Sequence, residues 1–162
     1  MSDKREQLIQ TALLLFYQYG IRAIGINEVL KKSGIAKKTL YHHFSSKEDL
    51  VLAALQYRDA IFLDWLRGEV KSFHPGLEAM QGLFTALDRW FHNDVPELNP
   101  FRGCFFINTA VEYREDNPQL AEYCRAHKAK VRDLVRQCLT DEQAQQAELL
   151  DTLCVLKEGA IV

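Results

Sequence analysis

Two short segments with helical spacing of apolar residues flank Gly34, and this pattern constrains the fold more than any other part of the chain. The first segment runs from about residue 27 to 33, and the second from about 37 to 44. Glycine permits a sharp turn without a Cβ clash, and Val29 and Leu40 stand where two such helices would touch. The sequence therefore predicts a helix-turn-helix.

The second of these helices carries polar and cationic side chains on the side that would not face the first. A lysine near the N-terminal end of such a helix can donate hydrogen bonds to guanine, while tyrosine and histidine can reach phosphates or a thymine methyl. Adjacent surface lysines usually form only a solvated face, but their grouping within a helix-turn-helix favours nucleic-acid binding. The predicted DNA-binding residues are Lys37, Lys38, Thr39, Tyr41, His42 and, at the start of the next helix, Lys47.

The charge of the chain is unevenly distributed. Residues 1–50 hold eight Lys and Arg against five Asp and Glu, and residues 51–162 hold twelve against seventeen, so the net charge is −2. A basic head on an acidic body fits a protein that touches a polyanion at one end only.

The rest of the sequence shows helical patterns and no strand-like alternation, which predicts an all-α chain of about eight helices. Helix one is expected over Lys4–Tyr19, with Gly20 as a left-handed terminal residue. A long helix is expected after Ser46, which with Asp49 resembles a capping box, and further helices are expected from Leu77 to Phe91 and within the apolar stretch 101–113. The next predicted helix runs from Pro118, with Asn117 as its N-cap, to about Leu139. The last runs from Thr140, which has capping-box spacing to Gln143, through Ile161.

Several classes of protein are disfavoured by composition. No run of about 18 uncharged apolar residues and no apolar signal segment appears, so a cytoplasmic protein without a membrane contact is expected. The four cysteines stand far apart, and no Cys or His pair has metal-ligand spacing, so neither a metal site nor a disulfide framework is predicted. Without a nucleophile–base pair or a Gly-rich phosphate loop, we expect neither an enzyme nor a cofactor.

Residues 5–50 resemble the DNA-binding head of the tetracycline-repressor (TetR) family of bacterial transcriptional regulators. The resemblance is carried by residues 34–44, Gly-Ile-Ala-Lys-Lys-Thr-Leu-Tyr-His-His-Phe, and by residues 46–50, Ser-Lys-Glu-Asp-Leu. Ala36 departs from the family pattern, in which Ser or Thr often starts the recognition helix, so we expect one capping hydroxyl to be missing.

The resemblance implies an N-terminal three-helix DNA-binding head, residues 1–48, on a helical effector-binding and dimerisation body, residues 49–162. The implied function is a repressor that binds a palindromic operator in double-stranded DNA as a homodimer and is released by a small-molecule effector. The alternative, from a different class, is a helical small-molecule or thiol-sensing module that does not bind DNA.

The body is rich in aromatic side chains, and aromatic-lined cavities suit flat or apolar small molecules. Any single ring is more often a core residue, but the set favours a cavity between the helices that carry Trp65, Trp90 and Phe105. Cys104 follows Arg102 near the start of an apolar helix, an arrangement that favours the thiolate, so thiol sensing is the less favoured possibility. The predicted ligand-binding residues are Phe62, Trp65, Trp90, Phe91, Cys104, Phe105 and Tyr113.

The last helical pattern continues to Val162 without a Gly, Pro or polar stop. We therefore expect the natural protein to extend further and the sequence to be truncated at its C-terminus. Part of a dimer face is expected on the last helix, from Leu149, Leu153, Leu156 and Val162.

Overall fold

The structure is a computed structural model that describes residues 4–113 and 116–161. The described residues form helices and no strand, which confirms the all-α prediction. The helices are α1 (Lys4–Tyr19), α2 (Ile26–Ser33), α3 (Lys37–His43), α4 (Lys47–Val70), α5 (Leu77–Phe91), a 3-10 turn (Pro96–Leu98), α6 (Phe105–Tyr113), α7 (Pro118–Gln137), α8 (Asp141–Ala144) and α9 (Ala147–Ile161). None of these described helices is long and apolar enough to span a membrane.

The ends of the first three helices follow local signals in the sequence. Helix α1 has the predicted bounds and is followed by Gly20 at φ 88°. Helix α3 ends at His43, one residue earlier than predicted, because Phe44 adopts an extended backbone with φ −136°. The Phe44 ring is nonetheless buried in the core, with 4% of its surface exposed.

Two predicted N-caps are present. The Asn117 side-chain oxygen accepts a hydrogen bond from the Leu120 N–H at 3.1 Å, which caps α7. The Ser46 hydroxyl accepts one from the Asp49 N–H at 3.0 Å. The Asp49 carboxylate, however, accepts from the N–H of Ser45 rather than of Ser46, at 3.0 Å, so this capping arrangement reaches one residue further back than predicted.

The prediction of one continuous helix after Thr140 is wrong, since the structure has α8 and α9 there. The capping box exists: the Gln143 N–H donates to the Thr140 hydroxyl at 3.3 Å, and the Thr140 N–H donates to the Gln143 side chain at 3.1 Å. It caps only the four-residue α8. The Gln146 N–H then donates to the Gln143 carbonyl at 3.0 Å, an i to i+3 bond that ends the helix. No Gly or Pro marks this break, so spacing alone did not reveal it.

The described residues form two compact units. The first comprises residues of 1–59 and 105–124, and the second comprises residues of 60–104 and 125–162. The first is centred on fully or nearly fully buried side chains that include Leu8, Phe16, Ile21, Val29, Leu40, Leu50, Leu55 and Phe105. The second buries Leu66, Leu83, Leu87, Trp90, Leu98, Val131, Leu134 and Leu150. The functional boundary predicted between residues 48 and 49 stays a prediction.

Candidate nucleic-acid interface

The turn between α2 and α3 is closed by backbone and side-chain hydrogen bonds. Gly34 has a left-handed backbone, φ 68°, and its N–H donates to the Leu30 carbonyl at 2.9 Å. The Ser33 hydroxyl donates to the Leu30 carbonyl and accepts from the Ile35 N–H, both at 3.3 Å. The Gln7 side chain, from α1, donates to the Ser33 carbonyl at 3.0 Å. The turn is therefore fixed internally and also tied to α1.

Apolar contacts hold α3 from behind. Leu40 and Val29 have no exposed surface, and Ile35 is 9% exposed. Ala36 is the N-cap of α3 and makes no side-chain capping bond, as its departure from the family pattern predicted. Because one side of this short helix is buried, its other side is held facing outward.

Four of the six predicted DNA-binding side chains lie on the exposed side of α3: Lys37, Lys38, Tyr41 and His42. They form two i, i+4 pairs, Lys37 with Tyr41 and Lys38 with His42. The Lys37 ammonium lies 5.9 Å from the centre of the Tyr41 ring. Tyr41 is 47% exposed. Thr39, between the pairs, is half-buried.

Lys47 is placed differently from the other five. Its ammonium donates to the Ile21 carbonyl at 2.6 Å and lies 5.9 Å from the centre of the Phe16 ring. Burial lowers the pKa of Lys47 below its usual value of 10.5. In this structure the ammonium holds the segment after α1 rather than extending into solvent.

A polar junction that had no predicted role joins that same segment to the end of α6. The Glu112 carboxylate accepts hydrogen bonds from the N–H groups of Ile21, at 3.0 Å, and Arg22, at 2.6 Å. The Arg22 guanidinium donates to the Glu112 carbonyl at 2.6 Å and forms an ion pair with Asp116. A local signal for this junction is that Glu112 is the single charged residue of α6. We call this group of bonds the Glu112 clamp.

A cleft of about 450 Å³ lies beside the Glu112 clamp. Tyr113, one of the predicted ligand residues, lines it, and burial followed by the nearby Glu48 carboxylate raises the pKa of Tyr113 to about 12. Two cations and two carboxylates line the cleft, so its charge favours neither an anion nor a cation. The lining residues are Arg22, Lys47, Glu48, Tyr113, Asp116 and Asn117.

Aromatic rings of the second compact unit gather into one group. The Phe62 ring centre lies 5.5 Å from that of Trp65 and 5.4 Å from that of Trp90. Phe101 lies 4.9 Å from Trp90 and 5.0 Å from Phe91. We call Phe62, Trp65, Trp90, Phe91, Phe101 and His127 the aromatic cluster, since the His127 ring also contacts Phe62 at 5.6 Å.

The structure thus brings together four of the seven predicted ligand-binding residues, Phe62, Trp65, Trp90 and Phe91. Phe105 belongs to the first compact unit, where its ring packs edge-on against Tyr17 at 6.0 Å. The cavity predicted between the helices of Trp65, Trp90 and Phe105 stays a prediction. Sequence reasoning gave no ligand role to Phe101 and His127, although Phe101 was visible as one of the many aromatic residues of the body.

Cys104 has a cationic neighbour, but not the one that the sequence indicated. The thiol is 7% exposed, and the Lys128 ammonium, from α7, donates to its sulfur at 3.3 Å. Arg102 instead donates to the neighbouring Phe101 carbonyl. Lys128 also donates to the Glu158 carboxylate at 2.6 Å, and Lys157 pairs with the same carboxylate. Burial acts to raise the pKa of Glu158, but its hydrogen bonds to the two lysines outweigh burial and lower it.

The segment that contains the helix-turn-helix is similar to known proteins. Residues 8–54, which contain α2, the turn and α3, match the model of the family described as bacterial regulatory proteins, tetR family. Over this segment the chain is similar to the TetR family. Among the described residues, no group of three or more His, Cys, Asp or Glu side chains could hold a metal ion.

Three relatives illustrate the extent of the similarity. The HTH-type transcriptional repressor KstR2 of Mycobacterium tuberculosis is 38% identical over 90 residues, which are 53% of this chain and 43% of that repressor. The HTH-type transcriptional regulator YezE of Bacillus subtilis is 28% identical over 129 residues, 78% of this chain and 63% of YezE. The crystal structure of a TetR-family transcriptional regulator from Streptomyces coelicolor aligns with a TM-score of 0.83 and 26% identity, covering 99% of this chain and 83% of that one. The chain therefore matches less than two thirds of the length of these curated relatives.

Proposed function

We propose that this chain is a DNA-binding transcriptional regulator of the TetR family, which represses by binding a palindromic operator as a homodimer and is released by a small-molecule effector. The observation that carries the proposal is the outward presentation of Lys37, Lys38, Tyr41 and His42 on a helix fixed from behind. These side chains lie within the segment that matches the family model. KstR2, the relative with 38% identity, is itself a transcriptional repressor.

The residues of α3 have distinct roles in this proposal. Lys37 and Lys38, at the N-terminal end of α3, read base edges or neutralise phosphates. Tyr41 and His42 contact phosphates or thymine methyl groups one turn later, and the half-buried Thr39 supports them. Lys47 can contact the DNA backbone only after its ammonium leaves the Ile21 carbonyl, so we assign it a positioning role first.

A single short helix reads few base pairs, so specific binding requires two heads spaced about 34 Å apart, one turn of DNA, or a multiple of this. Helix α9 supports a dimer because it exposes apolar side chains. Val155 is 70% exposed and Leu156 is 57% exposed, while Leu149 and Leu153 are half-buried. Val162, the last residue of the predicted dimer face, lies outside the described residues.

The test begins with selection of bound sequences from a random duplex library. Affinity is then measured by fluorescence anisotropy for the best site and for a scrambled duplex, over a range of salt concentrations. We expect the double variant Lys37→Ala/Lys38→Ala to lose about 100-fold in affinity for the best site, since each base-reading lysine contributes about 1–3 kcal/mol. In this variant, the ratio of the affinity for the best site to the affinity for the scrambled duplex should also fall.

A matched control removes the same charge from the same head. Lys31 and Lys32 are an exposed adjacent pair in the last turn of α2. Lys31→Ala/Lys32→Ala should weaken binding to both duplexes by a similar factor, because lysines outside α3 would contact only phosphates, and phosphate contacts do not depend on the DNA sequence. An unchanged ratio of affinities in the Lys37/Lys38 variant would contradict the proposal for α3.

The alternative, a helical sensor that does not bind DNA, is not favoured, because α3 keeps its exposed cations in the matched segment. Failure to enrich any duplex sequence with folded, dimeric protein would support it instead. A catalytic role has no support among the relatives, which are transcriptional regulators. Thiol sensing at Cys104 would be contradicted if Cys104→Ser kept the full response to every effector.

A further inference from the structure

We propose that a surface groove between the last turn of α4, the first turn of α5 and the last turn of α7 binds a small amphipathic anion. The anionic group would lie between Arg67 and Lys71, and the apolar part would lie against the floor of the groove. We call this site the cationic groove. The inference goes beyond the proposed function, because the groove can be filled whether or not the chain binds DNA.

The cationic groove is a recess of a size that suits a small molecule. Its volume is about 330 Å³, within the range of about 300–1,000 Å³ that is usual for small-molecule sites. Its lining residues all belong to the second compact unit, and no member of the aromatic cluster is among them. The apolar part of the lining consists of Val70, Phe73, Pro75, Ala79, Leu134 and Cys138.

The floor of the groove is buried, fixed and uncharged. Ala79 and Leu134 are 2% and 3% exposed. The Gly76 N–H donates to the Cys138 carbonyl at 2.8 Å, which joins the start of α5 to the end of α7. Burial raises the pKa of the Cys138 thiol above its usual 9.0, so the thiol stays neutral at pH 7. The floor therefore suits the apolar part of a ligand and not its charge.

The rim of the groove carries the charge. Arg67 and Lys71 are exposed i, i+4 neighbours, and no carboxylate of the described residues lines the groove with them. Neither cation forms an ion pair within the described residues, and Glu69, which lies between them in the chain, pairs with Arg89 at 2.8 Å. Like charges at this spacing repel each other. An anion between them would remove that repulsion and accept charge-assisted hydrogen bonds, whereas a second cation would add to it.

Phe73 forms one wall of the groove, and its position depends on Gly82. A Cβ atom added at Gly82 would overlap the Phe73 ring. Glycine is less favourable than alanine inside a helix, so α5 carries at this position a residue that weakens the helix but admits the ring. The Phe73 side chain is 37% exposed, which leaves apolar surface open towards solvent for the apolar part of a ligand.

Three probes separate the two parts of the ligand. Octanoate has a carboxylate and an apolar chain, 1-octanol has the same chain without the charge, and acetate has the charge without the chain. Isothermal titration calorimetry measures their affinities. We expect octanoate to bind with a dissociation constant of about 1 mM or tighter. Octanol should bind at least about tenfold more weakly than octanoate, since it lacks the charge-assisted hydrogen bonds, and acetate should not bind measurably.

The methyl signals of two alanines of α5 show where the probe lies. Ala79 lines the groove and Ala86 does not, and both are 2% exposed. In protein labelled with ¹³C at the alanine methyl groups, Ala79→Gly and Ala86→Gly assign the two signals. We expect octanoate to shift the Ala79 signal and to leave the Ala86 signal in place.

Variants that remove one charge give a further readout. Arg67→Gln and Lys71→Gln should each weaken octanoate binding by about fivefold, which corresponds to about 1 kcal/mol, and leave octanol binding unchanged. Arg136→Gln is the matched control, because Arg136 is an exposed cation next to a lining residue, pairs with Asp133 and does not line the groove. It should change octanoate affinity by less than about twofold. Phe73→Ala should weaken octanoate and octanol by a similar factor, since it removes apolar surface and no charge.

Four results would overturn the inference. Octanoate and octanol would bind alike if the two cations served only the end of α4. A shift of the Ala86 signal without one of Ala79 would place the ligand elsewhere in the unit. An equal loss in Arg136→Gln and Arg67→Gln would assign the effect to overall charge, and folded protein that does not bind octanoate would exclude the site. None of these measurements uses DNA, so their outcome is separate from that of the proposed function.

Discussion

The Glu112 clamp should contribute measurably to the stability of the fold, and Glu112→Ala removes its central group. The carboxylate accepts from the Ile21 N–H in a partly buried position and from the Arg22 N–H in an exposed one. A hydrogen bond to a charged group contributes about 1.5–3 kcal/mol, and we take the lower end for the first bond and about 0.5 kcal/mol for the exposed second one. The expected loss in the free energy of unfolding is therefore about 2 kcal/mol. Glu112→Gln keeps one acceptor oxygen and should lose about half as much.

Urea unfolding followed by circular dichroism gives the free energy, and a loss of about 2 kcal/mol corresponds to a fall of roughly 4–8 °C in Tm for a chain of this size. Glu97, an exposed carboxylate in the 3-10 turn, provides the control, since its replacement by Ala should change stability by less than about 0.5 kcal/mol. Hydrogen exchange of the Ile21 and Arg22 amides reports the two bonds directly, and both should exchange faster in Glu112→Ala. If stability and both exchange rates matched those of the unmodified chain, the clamp would have no energetic role.

Three further outcomes follow from individual side chains. Burial and a nearby carboxylate raise the pKa of Tyr113 and of Tyr123 to about 12, so in an ultraviolet titration both phenols should ionise late, and Tyr123→Phe should remove one phenol from the late phase. The fold favours the protonated form of each phenol, so this contribution to stability is fully present below pH 10 and is lost progressively as the pH rises towards 12. The pKa of Glu158 lies below its usual 4.5, so the stabilisation that Glu158 contributes is present above pH 4.5 and is lost as the pH falls below that value. In that acidic range, the urea midpoint of Glu158→Gln should therefore change less with pH than the midpoint of the unmodified chain. Gly34→Ala, at φ 68°, should lower stability by about 1 kcal/mol, whereas Gly68→Ala, within α4, should raise it by up to about 1 kcal/mol, both measured by thermal denaturation.

Much of the helix-turn-helix could be predicted from the sequence because its signals are local. The bounds of α1, the left-handed Gly34 and the Asn117 cap each depend on neighbours within about one turn of helix, where spacing and residue type decide the conformation. The outward side of α3 could be predicted for the same reason, since Leu40 marks the buried side and the lysines stand opposite. The break between α8 and α9 had no such local mark and was missed.

By itself, the sequence determined the helical class, the head and the polar side chains that the head exposes, because helical hydrogen bonds and amphipathic spacing act over three to five residues. Only the tertiary structure decided which distant groups meet. Glu112 bonds to a backbone N–H 91 positions earlier, and Cys104 acquires its cation from Lys128 rather than from Arg102. It also decided that the Lys47 ammonium is held by the Ile21 carbonyl and that the Trp65 N–H is buried without an acceptor among the described residues. Such pairings depend on how the helices pack, which periodicity along one helix does not specify.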